Sequence, residues 1–213
     1  MYKTVVILAM ALVAVASGCS NIERSRNLAD PTVSPKTLAA QVCSNCHGLD
    51  GNSVSPAFPR LAGQPAEYIV NQLTNFRSHQ RIDPPGYQYM WGLSRHLSDE
   101  QIAGLAQYYA KQVVRRAPSA ALDEKQMAIG KAIFDNGLPD EAVIACSACH
   151  GPTGQGMVAF PRLAHQHADY LMKQLDVFQN TQGRPGTPMD TVVHPLTGPD
   201  KAAVAAYLQS FPD

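Results

Sequence analysis

The chain lacks an excess of charge of either sign: its 213 residues carry 17 Lys and Arg against 17 Asp and Glu. That balance excludes the basic footprint of a nucleic-acid-binding protein, so no nucleic acid is expected as a partner. A hydrophobic share of 45% excludes a chain too polar to fold. Also missing is a hydrophobic run long enough for a mature membrane span. The apolar stretch from Val5 to Ala16 is too short for that role, follows a positive start at Met1 to Lys3 and precedes small residues. This is the layout of an export signal over residues 1–18. Cysteine is scarce too, at five residues, but four of them are concentrated in one repeated pattern.

That pattern is Cys-x-x-Cys-His, present as Cys43-Ser44-Asn45-Cys46-His47 and as Cys146-Ser147-Ala148-Cys149-His150. Two thiols one helical turn apart can each add to a porphyrin vinyl group, and the next histidine then falls under the iron. The expectation is two covalently bound haem c groups on Cys43, Cys46, Cys146 and Cys149, with His47 and His150 as axial ligands of the iron. A zinc ribbon is the alternative, because Cys-x-x-Cys alone also reads as a zinc half-site or a dithiol. The adjacent histidine and the recurrence of the whole run favour haem.

The fifth cysteine ends Ala16-Ser17-Gly18-Cys19, which looks like a bacterial lipoprotein processing site with Ala16 where leucine is usual. Processing there makes Cys19 a lipidated N-terminus and a membrane tether. Ordinary signal cleavage, leaving an unpaired thiol, is the other reading.

The two motifs belong to a longer repeat. Pro59-Arg60-Leu61-Ala62-Gly63-Gln64 returns as Pro161-Arg162-Leu163-Ala164-His165-Gln166, and Tyr68, Gln72, Leu73 and Phe76 are answered by Tyr170, Gln174, Leu175 and Phe178. The chain is therefore expected to be two tandem copies of one domain, residues 34–114 and 123–213, after a linker at 19–33 and joined by 115–122. Each copy reads as helices. Ser34 and Pro35 start one that runs through Leu38 and Val42 into the first motif, and Asp123 starts its equivalent. Tyr68 to Phe76 and Tyr170 to Phe178 are spaced helically, and Ser98 and Thr197 cap a last helix in each copy.

Met90 and Met189 each stand seven residues before a leucine, Leu97 or Leu196, that precedes the last cap. That shared position makes them the candidates for the second axial bond, and a thioether there favours ferrous iron and closes it to other ligands. His96 and His194 compete for the same role but occupy different positions in the two copies.

These residues resemble the cytochrome c4 family, over nearly all of the chain beyond the export segment. The motifs that carry the resemblance are His-Gly-x-Asp-Gly-Asn after Cys46, Pro-Arg-Leu-Ala-x-Gln in both copies, and the Tyr and Gln-Leu that follow. The resemblance implies an all-α fold of two class I cytochrome c domains related by a pseudo-twofold, with haem propionate edges meeting at the interface. It also implies a location outside the cytoplasmic membrane, in the periplasm, and carriage of electrons from a quinol-oxidising complex or dehydrogenase to a terminal oxidase or reductase. In small c-type cytochromes a proline placed like Pro59 and Pro161 offers its carbonyl to the haem histidine, while Arg60 and Arg162 could pair with propionates or be solvated charges. The copies depart from each other at Gly63, replaced by His165 next to His167, and in the shortened segment between Phe178 and Met189. Two other functions stay open: a dihaem oxidoreductase, or the electron-accepting subunit of one, acting on peroxide or a sulfur compound; and a membrane-tethered subunit of a respiratory complex.

Overall fold

The computed structural model describes residues 26–84, 86–116, 123–181 and 183–212; the export segment, Cys19 and linker residues 117–122 lie outside them. Ser34 accepts the Thr37 N–H at 3.1 Å, and Pro35, lacking an N–H that would have no partner there, opens α1 (Pro35–Leu38). A π turn (Ala39–Cys43) carries the chain from α1 into α2 (Ser44–His47), so the first motif is reached without leaving the helical path. The domain continues with α3 (Ala66–Arg77), α4 (Gly86–Ser94) and α5 (Asp99–Ala110). In α5 the Ser98 hydroxyl accepts the Gln101 N–H while the Gln101 side chain accepts the Ser98 N–H, a reciprocal cap.

The second copy repeats the plan with one excursion. Asp123 caps α6 (Glu124–Asn136), but Gly137, at φ 71°, turns the chain out through a 3₁₀ turn (Pro139–Glu141) before α7 (Ser147–His150). After it come α8 (Ala168–Asn180), α9 (Met189–Val193) and α10 (Gly198–Gln209), the last capped by Thr197 and Asp200. Among the described residues there is no strand, only the isolated bridges Leu138–Val143 and Met157–Phe160, and no helix is long and apolar enough to cross a membrane.

Each copy has its own core. Leu38, Ile69, Ile102, Leu105 and Tyr109 form one, and Ile133, Phe134, Leu171, Val204 and Tyr207 the other. In both, the first and last helices cross closely enough to require glycine. A Cβ on Gly104 of α5 would lie 2.2 Å from Pro35 Cγ, and one on Gly130 of α6 would lie 2.2 Å from the Ala203 carbonyl oxygen of α10. These crossings tie each haem-bearing segment to the terminal helix of its own domain.

The domains meet along a polar seam. Buried Arg81 stacks on Phe76 at 4.4 Å, pairs with buried Asp83 at 2.6 Å and reaches Gln174 and Tyr170 of the other domain. Its counterpart Arg184 stacks on Phe178 at 4.6 Å and reaches back to Gln72 at 2.9 Å. Burial alone would raise the Asp83 pKa, but the hydrogen bond and charge of Arg81 outweigh it and hold the carboxyl below its usual range.

Two variants test these contacts in denaturant unfolding of the haem-loaded protein. Gly130→Ala is expected to lose about 1–3 kcal/mol through overpacking, whereas Gly92→Ala, whose Cβ would meet nothing within 4 Å, should be neutral or stabilising. Asp83→Ala strands a buried guanidinium and is expected to cost about 3–5 kcal/mol; a loss below the noise of the measurement would show that the seam does not depend on this pair.

Candidate haem sites and the seam between them

Cys43 stands at the N-cap of α2, with Cys46 and His47 one turn on inside it, and Cys146 stands likewise at the N-cap of α7 before Cys149 and His150. His47 and His150 are both buried, at 7% and 5% exposure. The Nδ1 of His47 lies 2.8 Å from the Pro59 carbonyl oxygen, and that of His150 lies 2.9 Å from Pro161. A carbonyl can only accept, so each Nδ1 carries the proton and donates it, which leaves the lone pair on Nε2. Burial lowers both imidazole pKa values, more than the carbonyls raise them, and so favours the neutral ring that a metal requires. Phe58 stands edge-on to His47 at 6.4 Å and Phe160 to His150 at 6.2 Å, so the residue before each proline also flanks the ring.

The thiols fit thioether formation better than zinc. Burial pushes Cys43 and Cys146 up to about 11. Among the described residues no three His, Cys, Asp or Glu side chains gather to hold a metal ion, so neither motif has the second half that a zinc ribbon needs. Two thiols and one oriented imidazole match what a covalently attached haem takes from a chain.

Met90 and Met189 are half-buried but differ in local structure: Met90 lies inside α4, whereas Met189 is the first residue of α9 and packs on the second core. His96 and His194 are both exposed. Arg60 is not a solvated charge: it is 5% exposed, and its guanidinium donates to Asn52 Oδ1 at 2.7 Å and the Arg115 carbonyl at 2.6 Å. Arg162 is half-buried, with its Nε buried and without a hydrogen-bond partner.

The departure at Gly63 has a local cause. Gly63 and His165 share a left-handed backbone, at φ 65° and 62°, and their N–H groups donate to equivalent carbonyls, Tyr109 at 3.0 Å and Leu208 at 2.8 Å. A Cβ on Gly63 would meet Val114 Cγ2 at 2.4 Å, so the first copy excludes a side chain that the second accepts. Nearby, the buried His167 ring places Nε2 2.9 Å from the Ser53 carbonyl of the first domain.

Sequence reasoning missed the residues that join the two sites. Gln64 and Gln166, 5% and 4% exposed, each bond the backbone of the other domain. Gln166 Oε1 accepts the Arg60 N–H at 2.8 Å and its Nε2 donates to the Arg60 carbonyl at 3.0 Å; Gln64 does the same to Arg162 at 3.0 and 2.9 Å. The signal available was that this glutamine ends the repeated Pro-Arg-Leu-Ala-x-Gln run in both copies while the residue before it varies.

The sequence matches the cytochrome c family over residues 35–111 and again over 127–212. It is 37% identical over 177 residues to cytochrome c4 of Pseudomonas aeruginosa, covering 81% of this chain and 85% of that one. A thiosulfate dehydrogenase electron acceptor of Stutzerimonas stutzeri is 33% identical over 173 residues, covering 79% of this chain and 78% of that protein. The solved cytochrome c4 of Acidithiobacillus ferrooxidans superposes with a TM-score of 0.72 at 38% identity, over 79% of this chain and 97% of its own. With both motifs inside matched segments and both histidines oriented alike, the chain belongs to the cytochrome c4 family, as two tandem cytochrome c domains that carry two covalently bound haem c groups.

Proposed function

We propose that the protein is an exported dihaem electron carrier whose irons are held by His47 with Met90 and by His150 with Met189, and that it passes electrons from a quinol-oxidising complex or a dehydrogenase to a terminal oxidase or reductase. The observation that carries this reading is the equivalence of the two sites: in both, a buried neutral imidazole gives its Nδ1 proton to a proline carbonyl. Haem iron ligated in this way supplies a one-electron couple with no open coordination position. The chain's contribution is to fix the imidazole, exclude water and leave a contact surface. Exposed Leu49 and Val54 follow the first motif, and exposed Met157, Val158 and Phe160 follow the second, giving a redox partner an apolar rim beside each site.

A second reading is supported by relatives named as thiosulfate dehydrogenase electron acceptors, in Stutzerimonas stutzeri and Thiomonas intermedia, at 33% and 32% identity. On that reading the donor is a sulfur-compound dehydrogenase and this chain is its acceptor. Cys19, outside the described residues, would tether either version to a membrane once lipidated.

Four measurements check these assignments. The oxidised protein is expected to show a methionine-to-iron charge-transfer band for both haems, and high-spin iron in either would overturn the simple carrier. Met90→Ala and Met189→Ala should each open one iron to carbon monoxide and leave the other closed; the assignment fails if neither does. Rapid mixing with a thiosulfate dehydrogenase and thiosulfate separates the two donors, since reduction at a rate set by the dehydrogenase concentration supports the second reading. Mass spectrometry of the mature N-terminus would find diacylglyceryl-modified Cys19 if the tether is real.

A further inference from the structure

The two domains do more than touch, because the peptide that orients each haem histidine is held from the opposite domain. The Pro59–Arg60 peptide group has its carbonyl 2.8 Å from His47 Nδ1 and its N–H 2.8 Å from Gln166 Oε1. The Pro161–Arg162 peptide group has its carbonyl 2.9 Å from His150 Nδ1 and its N–H 3.0 Å from Gln64 Oε1. Each glutamine amide also donates to the next carbonyl, that of Arg60 or Arg162, so its orientation is fixed by a two-point contact. Both side chains are buried, so water does not substitute for them.

We propose that Gln64 and Gln166 are crossed positioning residues: each sets the donor strength of the axial histidine in the domain to which it does not belong, and thereby the redox potential of that domain's haem. The inference rests on the proposed ligation by His47 and His150. A peptide whose N–H is hydrogen-bonded is polarised, and its carbonyl becomes a stronger acceptor. A stronger acceptor on Nδ1–H makes the imidazole more basic toward the metal. A more basic imidazole stabilises ferric iron over ferrous and lowers the potential. Gln166 therefore lowers the potential of the haem on Cys43 and Cys46, and Gln64 that of the haem on Cys146 and Cys149. The arrangement also makes each site dependent on the seam being closed, since Oε1 reaches the peptide N–H only while the domains are docked.

The sign of the effect depends on which end of the glutamine is changed. Gln166→Leu removes the acceptor from Arg60 N–H and weakens the His47 contact. Gln166→Glu keeps an acceptor and gives it charge, which strengthens the same contact while losing the donation to the Arg60 carbonyl.

The test is an NMR-monitored redox titration of the full haem-loaded chain, which follows each haem by its own resonances. Gln166→Leu is expected to raise the potential of the first-domain haem and leave the second within error, with a change in its ferrous-to-ferric ratio of tenfold or less, that is up to about 59 mV. Gln166→Glu is expected to move the same haem downward, and Gln64→Leu to raise the second-domain haem only. Opposite signs for Leu and Glu separate tuning from simple loosening of the seam, which would move both variants the same way. The proposal is overturned if Gln166→Leu shifts the haem of its own domain, shifts both equally or shifts neither. Should the leucine variants fail to accumulate, Gln166→Glu and Gln64→Glu carry the test by the same crossed pattern. The methionine charge-transfer bands of the unmutated protein report on ligation independently, so a wrong ligand assignment and a wrong role for the glutamines give different results.

Discussion

A proline carbonyl that accepts one imidazole proton is the contact on which the remainder of the structure is arranged. Proline at Pro59 and Pro161 has no N–H to satisfy, so its carbonyl can be committed to the histidine without a second backbone demand at the same residue. Once Nδ1 is committed, the tautomer is fixed and Nε2 is presented to the metal. The edge-on phenylalanines and the left-handed corners at Gly63 and His165, whose N–H groups bond the last helix of each domain, hold the loop that carries that carbonyl.

The duplication is closer at the backbone than in the side chains around it. Peptide geometry at residues 59–60 and 161–162 is matched, and so are the stacked arginines Arg81 and Arg184. Charge is not matched. Asp83 neutralises Arg81 in the first domain, while the position after Arg184 offers Pro185 and Gly186 and no carboxylate. His167 reaches Ser53 where the first copy has Pro65, which has no side-chain donor. The matched backbone frames of the two copies thus carry unequal charged and polar side chains.

Much of this was legible in the sequence because it depends on local patterns. The haem motifs, the helix starts at Ser34, Asp123, Ser98 and Thr197, and the tandem plan all follow from short-range spacing, and the structure places them accordingly. The expectation for Pro59 and Pro161 draws on the resemblance to small c-type cytochromes together with their places 12 and 11 residues after the histidine. The glutamine contacts span separations of 106 and 98 residues and depend on how two domains dock, which no periodicity encodes. Arg60 shows the same limit from the other side. Its type suggests an anion partner or solvent; burial excludes the solvated reading, and its protein partners, Asn52 and the Arg115 carbonyl, come from a corner of the fold and the start of the linker.

The polarity of the seam has a consequence for why the two domains share one chain. A buried hydrogen bond contributes only about 0.5–1.5 kcal/mol net, while bringing two separate molecules together costs on the order of 4–15 kcal/mol in translational and rotational freedom. A contact built chiefly from glutamine amides, arginines and backbone groups is poorly suited to hold separate subunits at low concentration. A short covalent connection replaces that cost with a millimolar-scale effective concentration. Fusion of the copies is what allows a weak, directional interface to stay closed without the broad apolar patch that an obligate dimer would need.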